Sequence, residues 1–122
     1  MLDMAWLCRH YGMFAGVTHG ALLCEAENMG LDLYAEMFPE SEYAHSYVRT
    51  IYDEDFYDTS ATLRTWAGAL DVIHKHAVNS GINSETPAFF ASQFEKALKA
   101  GYGEEDVAAL IKVLRAEATS GK

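Results

Sequence analysis

The first 29 residues contain no proline and are rich in residues that favour helices, and Gly30 follows them. Proline is the residue that most strongly ends a helix, and glycine readily adopts the left-handed conformation found at helix ends. This stretch therefore predicts one helix over residues 2–29. Its length of about 42 Å exceeds the ~35 Å diameter expected for a compact domain of this size. We expect part of the helix to project or to pack against another chain.

The rest of the chain predicts further helices and no strand, because no segment alternates polar and apolar residues. Gly81 is expected to end the fourth helix, and Ser84 or Thr86 to cap the fifth, with Pro87 in its first turn. We predict an all-α domain over residues 1–122, a bundle of five to six helices around the long first helix. The segments are 31–38, 39–52, 59–79, 87–100 and 103–118.

Charge and cysteine usage exclude several classes of partner. The net charge of -9 and the lack of a basic stripe argue against nucleic acid. Cys8 and Cys24 lie ~24 Å apart along one helix, which prevents a disulfide and predicts a cytoplasmic protein with reduced thiols. Neither a signal peptide nor an apolar run near eighteen residues is present, so no membrane association is expected.

Gly12, Gly16 and Gly20 recur every four residues and form one stripe on the first helix. Each costs the helix about 1 kcal/mol relative to alanine. Close packing of a second helix against the bare backbone would offset this cost, and so would a ligand in the notch. We favour close packing.

Asp3 and Tyr11 are eight residues apart, about 80° around the helix and ~12 Å along it, so both can flank one pocket. A buried carboxyl group and a phenol form a plausible proton-donor pair, because burial raises the pKa of a carboxyl group. The alternative is that Asp3 only charges the first helical turn and Tyr11 is a core aromatic. Spacing alone favours this alternative.

Five histidines are present, but none has the spacing of a metal site. His74 and His76 lie on different faces of one helix. The acidic stretches lack the glycine turn of a calcium loop. We predict no metal site.

Three stretches together resemble a known family: DMAWLCRHYGMFAGVTHGALLCEAENMGLD, FYDTSATLRTWAGALDVIHKHAVNSGIN and PAFFASQFEKALKAGYGEEDVAALIKVL. They look like the C-terminal helical domain of β-hydroxyacid dehydrogenases, in the 6-phosphogluconate dehydrogenase-like superfamily. Within that group they are most similar to the NADPH-dependent imine reductases and reductive aminases. The resemblance covers nearly the whole chain.

The resemblance implies specific site residues. Hydroxyacid dehydrogenases carry a catalytic lysine on the first helix, whereas this chain has no lysine before Lys75. Imine reductases commonly place Asp or Tyr there, which implies catalytic roles for Asp3 and Tyr11. By the same resemblance, four residues fall near the substrate pocket: Met13, Phe38, Thr65 and Trp66.

The resemblance also implies partners. NADPH would be bound mainly by a dinucleotide-binding Rossmann domain that lies outside these 122 residues, and the chain alone is expected to bind no cofactor and to be inactive. Two such helical domains would interlock as a homodimer through the first helix, around a small imine or a carbonyl and amine substrate. Two alternatives stay open: a helical dimerisation module without chemistry, and the same domain of a hydroxyacid or semialdehyde dehydrogenase.

Overall fold

The computed structural model describes the backbone of residues 1–120 and the side chains of residues 1–117. Residues 1–120 contain no β-strand, only one isolated bridge between Thr62 and Asp106. The all-α prediction is confirmed. The elements are α1 (Leu2–Ala26), α2 (Leu31–Glu36), α3 (Tyr43–Asp53), α4 (Leu63–Ser80), α5 (Glu85–Lys99), a 3-10 turn (Val107–Ala109) and α6 (Leu110–Ser120).

Helix α1 ends at Ala26, three residues earlier than predicted. Asn28 adopts the left-handed conformation, with φ of 59°, and the Met29 N–H donates to the Cys24 carbonyl at 2.8 Å. Asparagine tolerates this conformation better than most residues, so the helix stops before the glycine. Gly30 has φ of -67° and caps the start of α2, so its predicted left-handed role was wrong.

Helix α4 begins at Leu63 because the Thr62 hydroxyl accepts the Thr65 N–H at 3.2 Å. The predicted start at residue 59 was four residues early. Gly81 ends the helix with φ of 75°, as predicted.

Helix α5 begins after the N-cap residue Ser84, and the side-chain bonds at its start come from the preceding residue, Asn83. The Asn83 Oδ1 accepts the Glu85 N–H at 3.0 Å, and its Nδ2 donates to the Glu85 carboxylate at 2.7 Å. Ser84 makes no side-chain capping bond, and Thr86 lies within the helix. Ser84 therefore occupies the N-cap position, as one of the two predicted caps, while the Asn83 side chain makes the capping bonds.

The last predicted helix starts late, because its first residues form a cap and a 3-10 turn. The Asp106 carboxylate accepts the Ala108 N–H at 2.9 Å and the Thr59 hydroxyl at 2.7 Å. Residues 107–111 are fully buried and form the centre of the bundle. Around them pack α1, α3, α4 and α5.

Helix α1 turns one face to this core through Tyr11, Phe14, Thr18 and Ala21. Their spacing of three and four residues is that of a single helical face. The Thr18 hydroxyl bonds the Tyr47 hydroxyl at 2.6 Å, which satisfies two buried polar groups at once. The opposite face of α1 is thereby left on the surface of the bundle.

Arg115 fixes the far end of α1. Its guanidinium makes two hydrogen bonds to the Glu25 carboxylate, at 2.6 and 3.1 Å, and approaches the Glu54 carboxylate at 3.4 Å. A bidentate arginine and carboxylate pair is geometrically specific. The orientation of α1 is therefore set at its carboxyl end, and its amino end carries the candidate site.

Candidate functional site on the amino-terminal half of helix 1

Two cavities flank the amino-terminal half of α1. The larger, about 470 Å³, lies against α4 and α5, and we call it the apolar groove. The smaller, about 390 Å³, lies against the start of α3, and we call it the aromatic pocket. The apolar groove is lined by the N-cap residue Met1 and by five residues of α1: Met4, Ala5, Cys8, Tyr11 and Gly12. The aromatic pocket is lined by four residues of α1: Trp6, Arg9, His10 and Met13.

Aromatic rings form the wall of the aromatic pocket. The His10 ring lies 5.9 Å from the Trp6 ring and 5.9 Å from the Tyr43 ring, measured between centroids. It also stacks on Trp66 at 5.6 Å with an interplanar angle of 27°. His10 thus joins α1, α3 and α4, and it connects the pocket to the buried cluster around Phe14.

Asp3 lies on the same face of α1 as this pocket. Asp3, Trp6, His10 and Met13 are spaced by three, four and three residues, which puts them on one stripe that we call the Asp3 face. The Asp3 side chain is 90% exposed, and its carboxylate accepts the Met1 ammonium at 3.1 Å and the Met4 N–H at 3.0 Å. These bonds, the ammonium's first, lower the pKa of the Asp3 carboxyl group. The pKa of the Asp3 carboxyl group is therefore shifted downward in this chain, opposite to the upward shift expected from burial.

Tyr11 is buried, with 1% of its surface exposed, and lies at the base of the apolar groove. Its hydroxyl donates to the Trp66 carbonyl at 2.5 Å. Burial raises the pKa of the phenol, which therefore stays protonated at neutral pH. A hydroxyl group that donates one bond still has lone pairs to accept another.

The four predicted substrate residues are only partly brought together. Met13 lines the aromatic pocket, and Trp66 touches it through the stack on His10. Phe38 packs on Tyr34 at 5.4 Å between ring centroids, in the turn after α2. Thr65 is exposed in the first turn of α4, bonded to Thr62. Neither Phe38 nor Thr65 lines either cavity.

The Trp66 ring is fixed by the residues around it. Phe14 and Tyr11 meet it at nearly right angles, with centroid distances of 4.9 and 5.6 Å. Its indole N–H is buried and has no hydrogen-bond partner within the part of the chain described. Trp66 therefore holds α4 against α1 by ring packing.

The glycine stripe divides into two parts. A side chain at Gly20 would overlap the Tyr34 ring, whose hydroxyl bonds the Val17 carbonyl at 3.4 Å. A Cβ atom at Gly12 or Gly16 would meet nothing within 4 Å. Close packing within the chain thus explains Gly20, whereas the other two glycines face open space.

Trp6, His10 and Tyr43 were not among the predicted site residues. The spacing of Trp6 and His10 from Asp3 could have revealed the first two, because it places them on the face of the predicted acid. Nothing in the sequence indicated Tyr43, which reaches the pocket only through the docking of α3.

Two further features bear on what this part of the chain can hold. Residues 1–120 form no strand, and therefore no strand, glycine turn and helix unit of the kind that binds a dinucleotide. Within the same residues, no helix has the length and hydropathy needed to cross a membrane.

Comparison with known proteins identifies relatives of the whole domain. The sequence model of one family, described as the NADPH-dependent reductive aminase-like C-terminal domain, matches residues 1–116. A comparison with curated proteins found no match. The fold is similar to that of the solved 3-hydroxyisobutyrate dehydrogenase from Salmonella typhimurium, with a TM-score of 0.81 and 17% identity. That likeness covers 92% of this chain but only 40% of the length of the dehydrogenase chain.

Proposed function

Because the chain belongs to the family of NADPH-dependent reductive aminase-like C-terminal domains, we propose that it is the substrate-binding and dimerisation domain of a reductase acting on C=N bonds. NADPH would supply the hydride from a separate dinucleotide-binding domain, since residues 1–120 contain no such unit. The domain alone would then be inactive, and the whole protein would reduce imines or join carbonyl compounds to amines.

One observation favours reduction of C=N bonds over oxidation of alcohols. Helix α1 has Asp3 and Tyr11 but no lysine, whereas the resemblance implies a catalytic lysine on this helix for hydroxyacid dehydrogenases. An alcohol must lose its hydroxyl proton as it is oxidised, which calls for a base. An imine instead needs a proton at nitrogen before or during reduction, and a carboxyl group can provide it.

We assign that role to Asp3. Its pKa is lowered here mainly by the ammonium of Met1. In a longer protein, a peptide bond at Met1 would remove this charge, and a neighbouring domain would partly bury the carboxyl group. Both changes raise the carboxyl pKa, so that Asp3 can hold a proton or pair with an iminium cation.

Tyr11 would assist by holding the wall of the aromatic pocket in place. Tyr11 lines the apolar groove and donates its phenol hydrogen to the Trp66 carbonyl. The same bond fixes Trp66, and with it the wall behind His10. We therefore assign Tyr11 the role of a positioning residue, which acts through Trp66.

The substrate is assigned to the Asp3 face and the aromatic pocket. Two of the four expected substrate residues meet there, Met13 in the lining and Trp66 behind His10. Thioether and aromatic side chains suit the apolar part of a small amine or imine.

The test compares C=N with C=O reduction in the protein that joins this domain to its dinucleotide-binding domain. We expect NADPH oxidation with the cyclic imine 1-pyrroline to exceed that with cyclopentanone, a ketone of equal ring size, by at least about a hundredfold. Equal rates, or faster oxidation of a hydroxy acid, would instead indicate the dehydrogenase alternative. No turnover of any of these compounds would favour the dimerisation module without chemistry.

We further propose that the domain forms a homodimer in which α1 packs on the partner copy. Gly12 and Gly16 each cost the helix about 1 kcal/mol and gain no contact within the chain. Leu23 lies on the same outer side of α1 and is 59% exposed. A partner helix on this surface would bury the apolar residues and use the bare backbone for close approach.

Alanine substitution separates the two parts of the glycine stripe. We expect the pair Gly12→Ala and Gly16→Ala to weaken dimerisation, while each change raises the intrinsic stability of the helix by about 1 kcal/mol. Gly20→Ala is the matched control, since its methyl group meets Tyr34 inside the chain and should lower stability without a direct effect on association. Sedimentation equilibrium reports the mass against the chain mass of 13.5 kDa. A monomer for the unsubstituted chain at micromolar concentration would contradict the dimer.

A further inference from the structure

Arg9 stands apart from the other cationic side chains. The described side chains, residues 1–117, include eight lysines and arginines, and seven of these have a carboxylate oxygen within 4.0 Å. The seven are Arg49, Arg64, Lys75, Lys96, Lys99, Lys112 and Arg115. Arg9 has no carboxylate within that distance among the same residues. In a chain with twice as many acidic as basic residues, an arginine with no carboxylate oxygen within 4.0 Å is unexpected.

Arg9 nevertheless has one aromatic neighbour. Its guanidinium lies 4.7 Å from the centre of the Trp6 ring, a cation–π contact, and both residues line the aromatic pocket. A cation–π contact of this kind leaves the guanidinium N–H groups able to donate. Five donors in a planar fork match the two oxygens of a carboxylate.

The other residues of the aromatic pocket indicate what kind of molecule would carry the carboxylate. Trp6, Tyr43 and Met13 provide aromatic and thioether surface within about 390 Å³. Such a volume suits a small molecule with an apolar body. Glu42 also lines the pocket, and it makes no ion pair with Arg9. The negative charge of Glu42 opposes an anionic ligand and weakens its binding, whereas Arg9 orients the ligand.

We propose that Arg9 and Trp6 form a binding site for a carboxylate carried on a small apolar or aromatic molecule. The interpretation that this molecule is the substrate, as a keto acid or the imine formed from it, rests on the proposed function. The binding site itself does not require that function.

The test uses the 122-residue chain and a matched pair of probes, 3-phenylpropionate and its neutral amide, 3-phenylpropionamide. Binding is followed by the NMR signal of the Trp6 indole N–H, assigned with Trp6→Phe. At low ionic strength we expect the acid to bind about tenfold more tightly than the amide, because only the acid pairs with the guanidinium. Arg9→Met should remove this preference, and Glu42→Gln should strengthen acid binding.

Arg49→Met is the control. The Arg49 guanidinium also lies over an aromatic ring, that of Tyr52 at 4.9 Å, but it already has Asp53 at 3.6 Å. This variant should keep the tenfold preference. Equal binding of acid and amide by the unsubstituted chain would overturn the proposal, and so would an unchanged preference in Arg9→Met.

A protein partner for Arg9 gives a different result. If Arg9→Met lowers the sedimentation mass and neither probe shifts Trp6, the arginine belongs to an interface and the carboxylate site is wrong. The proposed function fails separately, since acid binding without any reduction of 1-pyrroline would leave this site intact.

Discussion

Asp3→Asn is expected to lower kcat for imine reduction by about 10²–10⁴-fold in the protein that joins this domain to its dinucleotide-binding domain. An amide cannot deliver a proton or balance the charge of an iminium ion, although it keeps the size of the carboxyl group. NADPH affinity should stay nearly unchanged, because the cofactor is assigned to the other domain. Steady-state kinetics and a separate cofactor titration give the two quantities.

Asp32→Asn is the control for this substitution. Asp3 and Asp32 each lie in the first turn of a helix, so both lose the same favourable interaction with the helix dipole when neutralised. Of the two, only Asp3 shares a helix face with the aromatic-pocket residues Trp6, His10 and Met13. If Asp32→Asn slows turnover as much as Asp3→Asn, or if Asp3→Asn retains normal turnover, Asp3 has no catalytic role.

Phe14→Ala is expected to destabilise the domain by about 3–5 kcal/mol, which is a large part of the stability of a small domain. Phe14 is fully buried and packs on Tyr47 at 5.3 Å and on Trp66 at 4.9 Å between ring centroids. Its loss leaves a cavity at the point where α1, α3 and α4 meet. Urea unfolding followed by circular dichroism measures the change.

Phe89→Ala provides the comparison, because Phe89 is 54% exposed on α5. It should cost less than about 1 kcal/mol. Phe14→Leu should fall between the two, since leucine fills part of the space. A loss below about 1 kcal/mol for Phe14→Ala would mean that the ring cluster does not hold the helices together.

Local sequence signals predicted most of the fold. Gly81 ends α4 as expected, because glycine readily adopts the left-handed conformation that ends a helix. The errors arose where another residue performed the same task. Asn28 replaced Gly30 at the end of α1, and the Asn83 side chain made the capping bonds of α5 although Ser84 holds the N-cap position. Several residue types can fulfil these local roles, so the sequence alone does not choose between them.

The candidate site was harder to predict because it depends on contacts between distant helices. Asp3 and Tyr11 share one helix, and their spacing was known, but the bond from Tyr11 to Trp66 joins residues 55 positions apart. That bond places Tyr11 on the side of the apolar groove. Tyr43 and the isolation of Arg9 likewise follow from how α3 and the acidic side chains are arranged in space.

The central claim is that the substrate occupies the Asp3 face rather than the apolar groove, and methionine methyl NMR tests it directly. Met13 lines the aromatic pocket, and Met4 lines the apolar groove. The joined protein, labelled with ¹³C at methionine methyl groups, would be titrated with pyrrolidine, the amine product of 1-pyrroline, in the presence of NADP⁺. Met13→Leu and Met4→Leu assign the two signals. We expect a saturable shift of the Met13 signal with the Met4 signal unchanged, whereas a shift of Met4 with Met13 unchanged would put the substrate in the apolar groove instead.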